Sequence, residues 1–159
     1  MHKAGRAVRP SSFRLEGFTL VELLVVIAIL GILMSLVMAG AQTARRRGAT
    51  TKAKTTIAAL DTAIAMYHGD LEVYPPSGNA ALISALQDDP KDVDWYGPYM
   101  EFKQDELKGD ELLDPWGHPY RYVSVNGGSP KHRTRSYDLA SNGPNGTDDD
   151  GTIDDIVNW

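Results

Sequence analysis

Two groups of side chains place charge where charge needs a reason. The first is Glu22, the only acid in the apolar run from Phe18 to about Ala44. A lone carboxylate in such a segment is costly to hold in hydrocarbon, so it calls for a counter-charge. A chain cut after Gly17 would supply one, because the new amino group of Phe18 is a cation within about one helical turn of Glu22. Between staggered copies, Glu22 of one could meet the Phe18 amine of the next and fix their register. The bland alternative is a glutamate that snorkels to the membrane surface. The second group is acidic: Asp148, Asp149, Asp150, Asp154 and Asp155 put five carboxylates into eight residues. Such a cluster repels itself unless a cation neutralises it. Without cysteine or clustered histidine, its oxygen-only donors suit a hard ion, Ca2+ above Zn2+ or Cu2+. The alternative is a solvated acidic loop. The every-second-residue spacing of Asp148, Asp150, Thr152 and Asp154 invites an EF-hand reading, which fails because Ile153 occupies the required glycine position and no glutamate closes the loop.

Other chemistry is not supported by the sequence. There are no cysteines among the 159 residues, so no disulfide, thiolate metal site or cysteine nucleophile is available. His2, His68, His118 and His132 are scattered, without metal or triad spacing. Gly127-Gly128 lacks the lysine and helix start of a phosphate loop. No nucleophile–base pair stands out, and the chain reads as a non-enzyme.

The elements that must position these groups follow from pattern. Residues 1–17 carry four Lys and Arg against one Glu, a net of +3, although the whole chain is −5. This reads as a basic cytoplasmic leader. Residues 18–44 are long enough to cross a bilayer, for which about 20 apolar residues suffice. Helical pattern then continues, with Ile57, Leu60, Ile64 and Tyr67 at spacings of three and four on one face. One helix over about 19–68, about 75 Å long at the standard rise, fits both halves, with Gly69 as its terminator. Tyr74-Pro75-Pro76 breaks it. A short helix over 79–87 follows, with Leu82, Ile83 and Leu86 on one side. Residues 88–110 read as irregular. A strand over 120–125, a turn at Asn126-Gly127-Gly128 and a partner strand over 135–139 make a hairpin. Trp95, Trp116 and Trp159 read as packing anchors. Arg45-Arg46-Arg47 is a membrane-interface anchor, a partner for acids on a neighbour, or a solvated face. The fold class is α+β: a long N-terminal helix on a small C-terminal domain with a short antiparallel sheet. The dense acid of 138–159, six Asp and no Lys or Arg, opposes nucleic-acid binding.

Gly17-Phe18-Thr19-Leu20-Val21-Glu22 resembles the leader junction of type IV pilins and pseudopilins. Further landmarks, Tyr74-Pro75, Ala81–Leu86, Asp114-Pro115-Trp116-Gly117-His118-Pro119-Tyr120 and Asp154-Asp155-Ile156-Val157-Asn158-Trp159, are similar in order to the major pseudopilins of type II secretion systems. The resemblance implies cleavage after Gly17 by a prepilin peptidase, N-methylation of Phe18 and an assembly role for Glu22. It also implies a Ca2+ held by the Leu139 carbonyl, Asn142, Asp154 and Asp155, with Asp149 or Asp150 as further ligands. Asn142 stands where the family usually has aspartate, and Val157 where it usually has glycine.

The expected organisation is a cleaved leader at 1–17, a transmembrane and assembly helix at 18–44, and a periplasmic domain at 45–159. The expected role is a homo-oligomeric helical filament, a pseudopilus that helps drive folded proteins across the outer membrane. Its implied partners are minor pseudopilins, the prepilin peptidase, an inner-membrane assembly platform and membrane lipid, with no nucleic acid. The rivals are a type IV pilin for adhesion, motility or DNA uptake, and an enzyme on a signal anchor.

Overall fold

The structure is a computed structural model that describes residues 17–89, 91 and 94–159, the side chains of 39 and 40 excepted. Apart from Gly17, the leader lies outside the described residues. Helix α1 runs over Leu20–Leu71 and helix α2 over Asn79–Gln87. A 3-10 turn at Gln104–Glu106 leads into strands β1 (Leu107–Lys108) and β2 (Glu111–Leu112). Strands β3 (Arg121–Ser124), β4 (Tyr137–Ser141) and β5 (Ile156–Val157) follow. Contacts divide the chain into two units, with the boundary between Gln42 and Thr43.

In the first unit every described side chain from Phe18 to Met38 is exposed, Phe18 at 80%. The helix there is long and apolar enough to cross a membrane. In the second unit α1 buries one face only. Ala53, Ile57, Leu60, Ile64 and Tyr67 recur every three or four residues and are all buried, as expected for one stripe of a helix facing a core. They cluster with Leu82, Ile83 and Leu86 of α2 and with Tyr122, Tyr137, Leu139 and Ile156 of the sheet. Trp95 and Trp116 pack against this core.

The helix ends later than Gly69, the expected terminator. It passes through Gly69 and stops when Glu72 turns left-handed, at φ 56°. The Glu72 N–H donates to the His68 carbonyl at 2.9 Å, so a non-glycine residue makes the left-handed cap that glycine usually supplies.

The three-stranded sheet is antiparallel in the order β3-β4-β5. Its register pairs Tyr122 with Leu139, Ser124 with Tyr137 and Ala140 with Val157. All five residues of the central strand β4 are buried. The partner strand therefore starts two residues later than the 135–139 expectation and ends at Ser141. Asn126-Gly127-Gly128 is not a tight hairpin turn, because 125–136 form a long loop between Ser124 and Tyr137. That loop is folded back by Asp138, whose carboxylate accepts the N–H groups of Lys131, His132 and Arg133 at 2.6, 2.9 and 2.8 Å. Within 88–110, expected to be irregular, the end forms the β1–β2 hairpin with Leu107 opposite Leu112. Gly109, at φ 64°, makes its turn.

Two polar clamps join these elements. Asn79 at the start of α2 donates to the carbonyls of Leu112 and Tyr120 and accepts the Leu112 N–H. Buried Asp114 accepts the N–H groups of Trp116 and His118 through one oxygen and the Ser141 hydroxyl through the other, at 2.6 Å. The Asp114–Pro119 turn is thus fixed to the end of β4, where the acidic loop begins.

Candidate assembly helix and cation loop

At the start of α1 the chain makes a reciprocal cap. The Thr19 hydroxyl accepts the Glu22 N–H at 3.2 Å, and Glu22 Oε2 accepts the Thr19 N–H at 2.9 Å and the Thr19 hydroxyl at 2.8 Å. This is a capping box, in which two otherwise unpaired helix-start donors are satisfied by each other's side chains. The pattern Thr19-Leu20-Val21-Glu22 carries that signal in sequence. Neither the counter-ion reading of Glu22 nor the snorkelling one included it. Gly17 and Phe18 are both exposed immediately before the cap.

The acidic loop hangs between β4 and β5. Its two ends cross at Gly143, whose φ is 61°. A Cβ at Gly143 would lie 2.3 Å from the Asp154 carbonyl oxygen, so only glycine fits this crossing. Beyond it, backbone N–H groups hold one oxygen of each key aspartate. Asp154 Oδ2 accepts the Asn145 N–H at 3.0 Å, and Asp155 Oδ2 accepts the N–H groups of Asp149 and Gly151 at 2.9 and 3.0 Å. Asp149 Oδ2 accepts Asn145 Nδ2 at 2.7 Å. The result brings one oxygen each of Asp149, Asp154 and Asp155 within 4.8 Å of one another.

The other oxygens show what the cluster lacks. Asn142 Oδ1, Asp154 Oδ1 and Asp155 Oδ1 are buried without a hydrogen-bond partner. All three are acceptors, and buried acceptors without donors are costly. Carboxylates this close also repel. A hard cation would offset both costs, and an all-oxygen donor set fits Ca2+, which takes about six to eight oxygens in adaptable geometry. Asn142, Asp149, Asp154 and Asp155 are the residues that would hold it. Two expected ligands have other ties. The Leu139 carbonyl accepts the Asn158 N–H at 3.1 Å, while the Leu139 N–H donates to Asn158 Oδ1 at 2.9 Å; one lone pair of that carbonyl is therefore in use. Asp150 faces Lys131 and His132 instead of the cluster. Hydrogen bonds from Lys131 and then His132 hold its carboxyl below the usual range.

Cationic side chains brace the loop from outside. Arg121 on β3 meets Asp148 at 2.6 Å. The His132 ring stacks on Trp159 with centroids 4.1 Å apart, which pins the C-terminal residue. Asp61 of α1 accepts the Tyr137 hydroxyl at 2.8 Å and Asn158 Nδ2 at 3.0 Å. The Tyr137 phenol is pushed up by burial and by the Asp61 carboxylate. Neither the Arg121 nor the Lys131 brace was legible in sequence, because both span long separations.

Comparison with known proteins shows the family. Residues 41–159 match the profile of the family "Type II secretion system (T2SS), protein G", and residues 15–38 match the "Prokaryotic N-terminal methylation motif". Proteins called "Type II secretion system core protein G" are similar along most of their length. The one from Pseudomonas aeruginosa is 34% identical over 91% of this chain and 94% of that protein. The one from Escherichia coli strain K12 is 38% identical over 91% and 90%, and that from Vibrio cholerae 34% over 90% of each. A solved structure, the major pseudopilin from the type 2 secretion system of enterohaemorrhagic Escherichia coli, is 28% identical, covers 77% of this chain and 92% of its own, and has a TM-score of 0.43. With the whole of the folded part matched and the methylation motif preceding it, the chain belongs to the type II secretion system protein G family.

Proposed function

We propose that this chain is a structural, non-catalytic filament subunit of a type II secretion system. It is made as an inner-membrane precursor, cut after Gly17 by a prepilin peptidase and methylated on Phe18. It then stacks with copies of itself into a periplasmic pseudopilus that helps drive folded proteins across the outer membrane. Minor pseudopilins and an inner-membrane assembly platform are its partners. The observation that carries this reading is the apolar stretch from Phe18 to Met38, most of it at the start of α1, whose side chains all stay exposed among the described residues. A helix with that much apolar surface needs lipid, or other copies of itself, around it. A lateral stack of such helices is heterologous and open, which makes a filament. The family match over 41–159 supports this role over that of a pilin for adhesion, motility or DNA uptake.

Glu22 has two uses in this account. In a single copy it caps its own helix through Thr19. In the filament its carboxylate meets the Phe18 amine of an adjacent copy and fixes axial register. The acidic loop carries a bound Ca2+, whose chemical contribution is positive charge that gathers Asn142, Asp149, Asp154 and Asp155. Those side chains orient the return into β5 and so hold the C-terminal segment against α1 through Asn158 and Asp61.

The test is Glu22→Ala in cells that carry the whole secretion system. Processing at Gly17 stays normal, filament yield falls and secreted proteins accumulate in the periplasm. Normal filaments and normal secretion from this variant would reject the register role.

A further inference from the structure

We infer that a groove between α2 and the β1–β2 hairpin receives the Arg45–Arg47 segment of a second copy, an electrostatic dock that rests on the filament reading above. The groove is about 430 Å3. Ile83 and Leu107 give it an apolar floor, Gln87 and Gln104 line it, and Asp88 and Asp110 complete it. An arginine lays its aliphatic stem on apolar surface and offers its guanidinium to carboxylates, so this is the chemistry of an arginine-accepting groove. Among the described residues neither Asp88 nor Asp110 has a cationic partner; Asp88 accepts only the Ser84 hydroxyl of its own helix, at 2.9 Å. The wider segment 88–111 holds nine acids against three lysines, a net of −6.

The matching cations lie on α1. There is no acid between Glu22 and Asp61, whereas Arg45, Arg46, Arg47, Lys52 and Lys54 fall in that stretch. The domain uses one of these itself, since Lys52 meets Glu106 at 3.1 Å. Arg45 precedes Lys52 by seven residues, two turns or about 10 Å along the same face, and has no such partner. Arg45, Arg46 and Arg47 are all exposed, and among the described residues none is in an ion pair. The other acidic region, the cation loop, is already engaged by Arg121, Lys131 and His132. Among the described residues, the groove is an acidic surface without an ion-pair partner, and the arginine triplet is a basic one. In a head-to-tail stack, two unlike patches of one chain meet on neighbouring copies.

Cysteine pairing tests the contact directly, because the chain has no cysteine of its own. Full-length chain carrying both Arg46→Cys and Asp110→Cys is assembled in cells and oxidised. A ladder of disulfide-linked multimers from the assembled pool is expected, and none from either single variant. Wild-type filament yield without a ladder would overturn the dock while leaving the filament reading intact. Absence of filaments from the unmodified chain would remove both. Charge reversal gives a second readout. Arg45→Glu, Arg46→Glu and Arg47→Glu together lower filament yield by about fivefold or more, as like charges are brought together. Adding Asp88→Lys and Asp110→Lys restores it. If the triple reversal instead leaves filaments unchanged and only weakens binding to phosphatidylglycerol vesicles, the triplet serves lipid headgroups and the dock is wrong.

Discussion

The two parts of α1 have the same backbone and opposite fates. From Ala53 to Tyr67 the helix is apolar on one stripe, and that stripe is buried by α2 and the sheet. From Leu20 to Met38 it is apolar nearly all round, and its side chains are exposed. The first kind of surface finds its partners inside the chain. The second must find them outside, in lipid or in other copies. The surface buried in folding and the surface proposed for assembly therefore lie in different stretches of one element.

Substitutions separate the two stretches. Leu60 and Ile64 are fully buried. Leu60→Ala or Ile64→Ala costs the domain about 2–5 kcal/mol, as buried large-to-small changes do, with filament loss following from unfolding. Leu24→Ala or Leu30→Ala leaves urea unfolding of the detergent-solubilised protein unchanged and lowers filament yield. Equal destabilisation by both pairs would erase the distinction.

The next effect lies in the loop that binds the C-terminal segment to the buried stretch. Gly143→Ala forces an L-residue into the left-handed region, at about 1–2 kcal/mol, and drives its Cβ into the Asp154 carbonyl. Thermal unfolding should shift down, and calcium should no longer shift it up. Asp154→Ala with Asp155→Ala is milder in chelator, yet abolishes the calcium response. If the loop binds Ca2+ as proposed, wild type should gain about 2.7 kcal/mol when free ion is a hundred times its Kd. A wild-type melting temperature indifferent to both calcium and EGTA would remove the cation site.

The smallest change concerns Asp138. Burial pushes its carboxyl up, but the N–H groups of His132, Arg133 and Lys131 outweigh this and hold it below its usual range. A carboxyl lowered in the folded state contributes stability above its unfolded value, near 3.9, and loses it as pH falls through the folded value. Asp138→Asn, whose amide keeps one acceptor oxygen, should cost about 0.5–1.5 kcal/mol at neutral pH. It should also flatten the loss of stability that wild type shows below about pH 4. An unchanged acid profile would show that the loop over 131–133 is held by something else.

What the sequence made legible was whatever depends on short spacing. The buried stripe of α1 and the apolar face of α2 follow from i, i+3 and i+4 repeats. The methylation motif over 15–38 follows from one contiguous stretch. The β1–β2 hairpin escaped because two-residue strands have no periodicity to detect, although Gly109-Asp110 between Leu107 and Leu112 is a turn signal. Gly69 misled because glycine favours a helix end without requiring one, and Glu72 took the left-handed position instead. In the cation loop, the acids were evident but their division of labour was not. Asp150 belongs to Lys131 and His132, and Asp148 to Arg121. Those pairings join residues far apart in sequence, and a single chain gives no local sign of them.

The central claim is that the apolar stretch is exposed in order to be handed from lipid to neighbouring copies after the leader is removed. Mass spectrometry of the protein extracted from membranes and sheared filaments tests it most directly. The account predicts one species starting at Phe18 with a single added methyl group. Filament material that retains the leader and begins at Met1 with an unmodified Phe18 would contradict it.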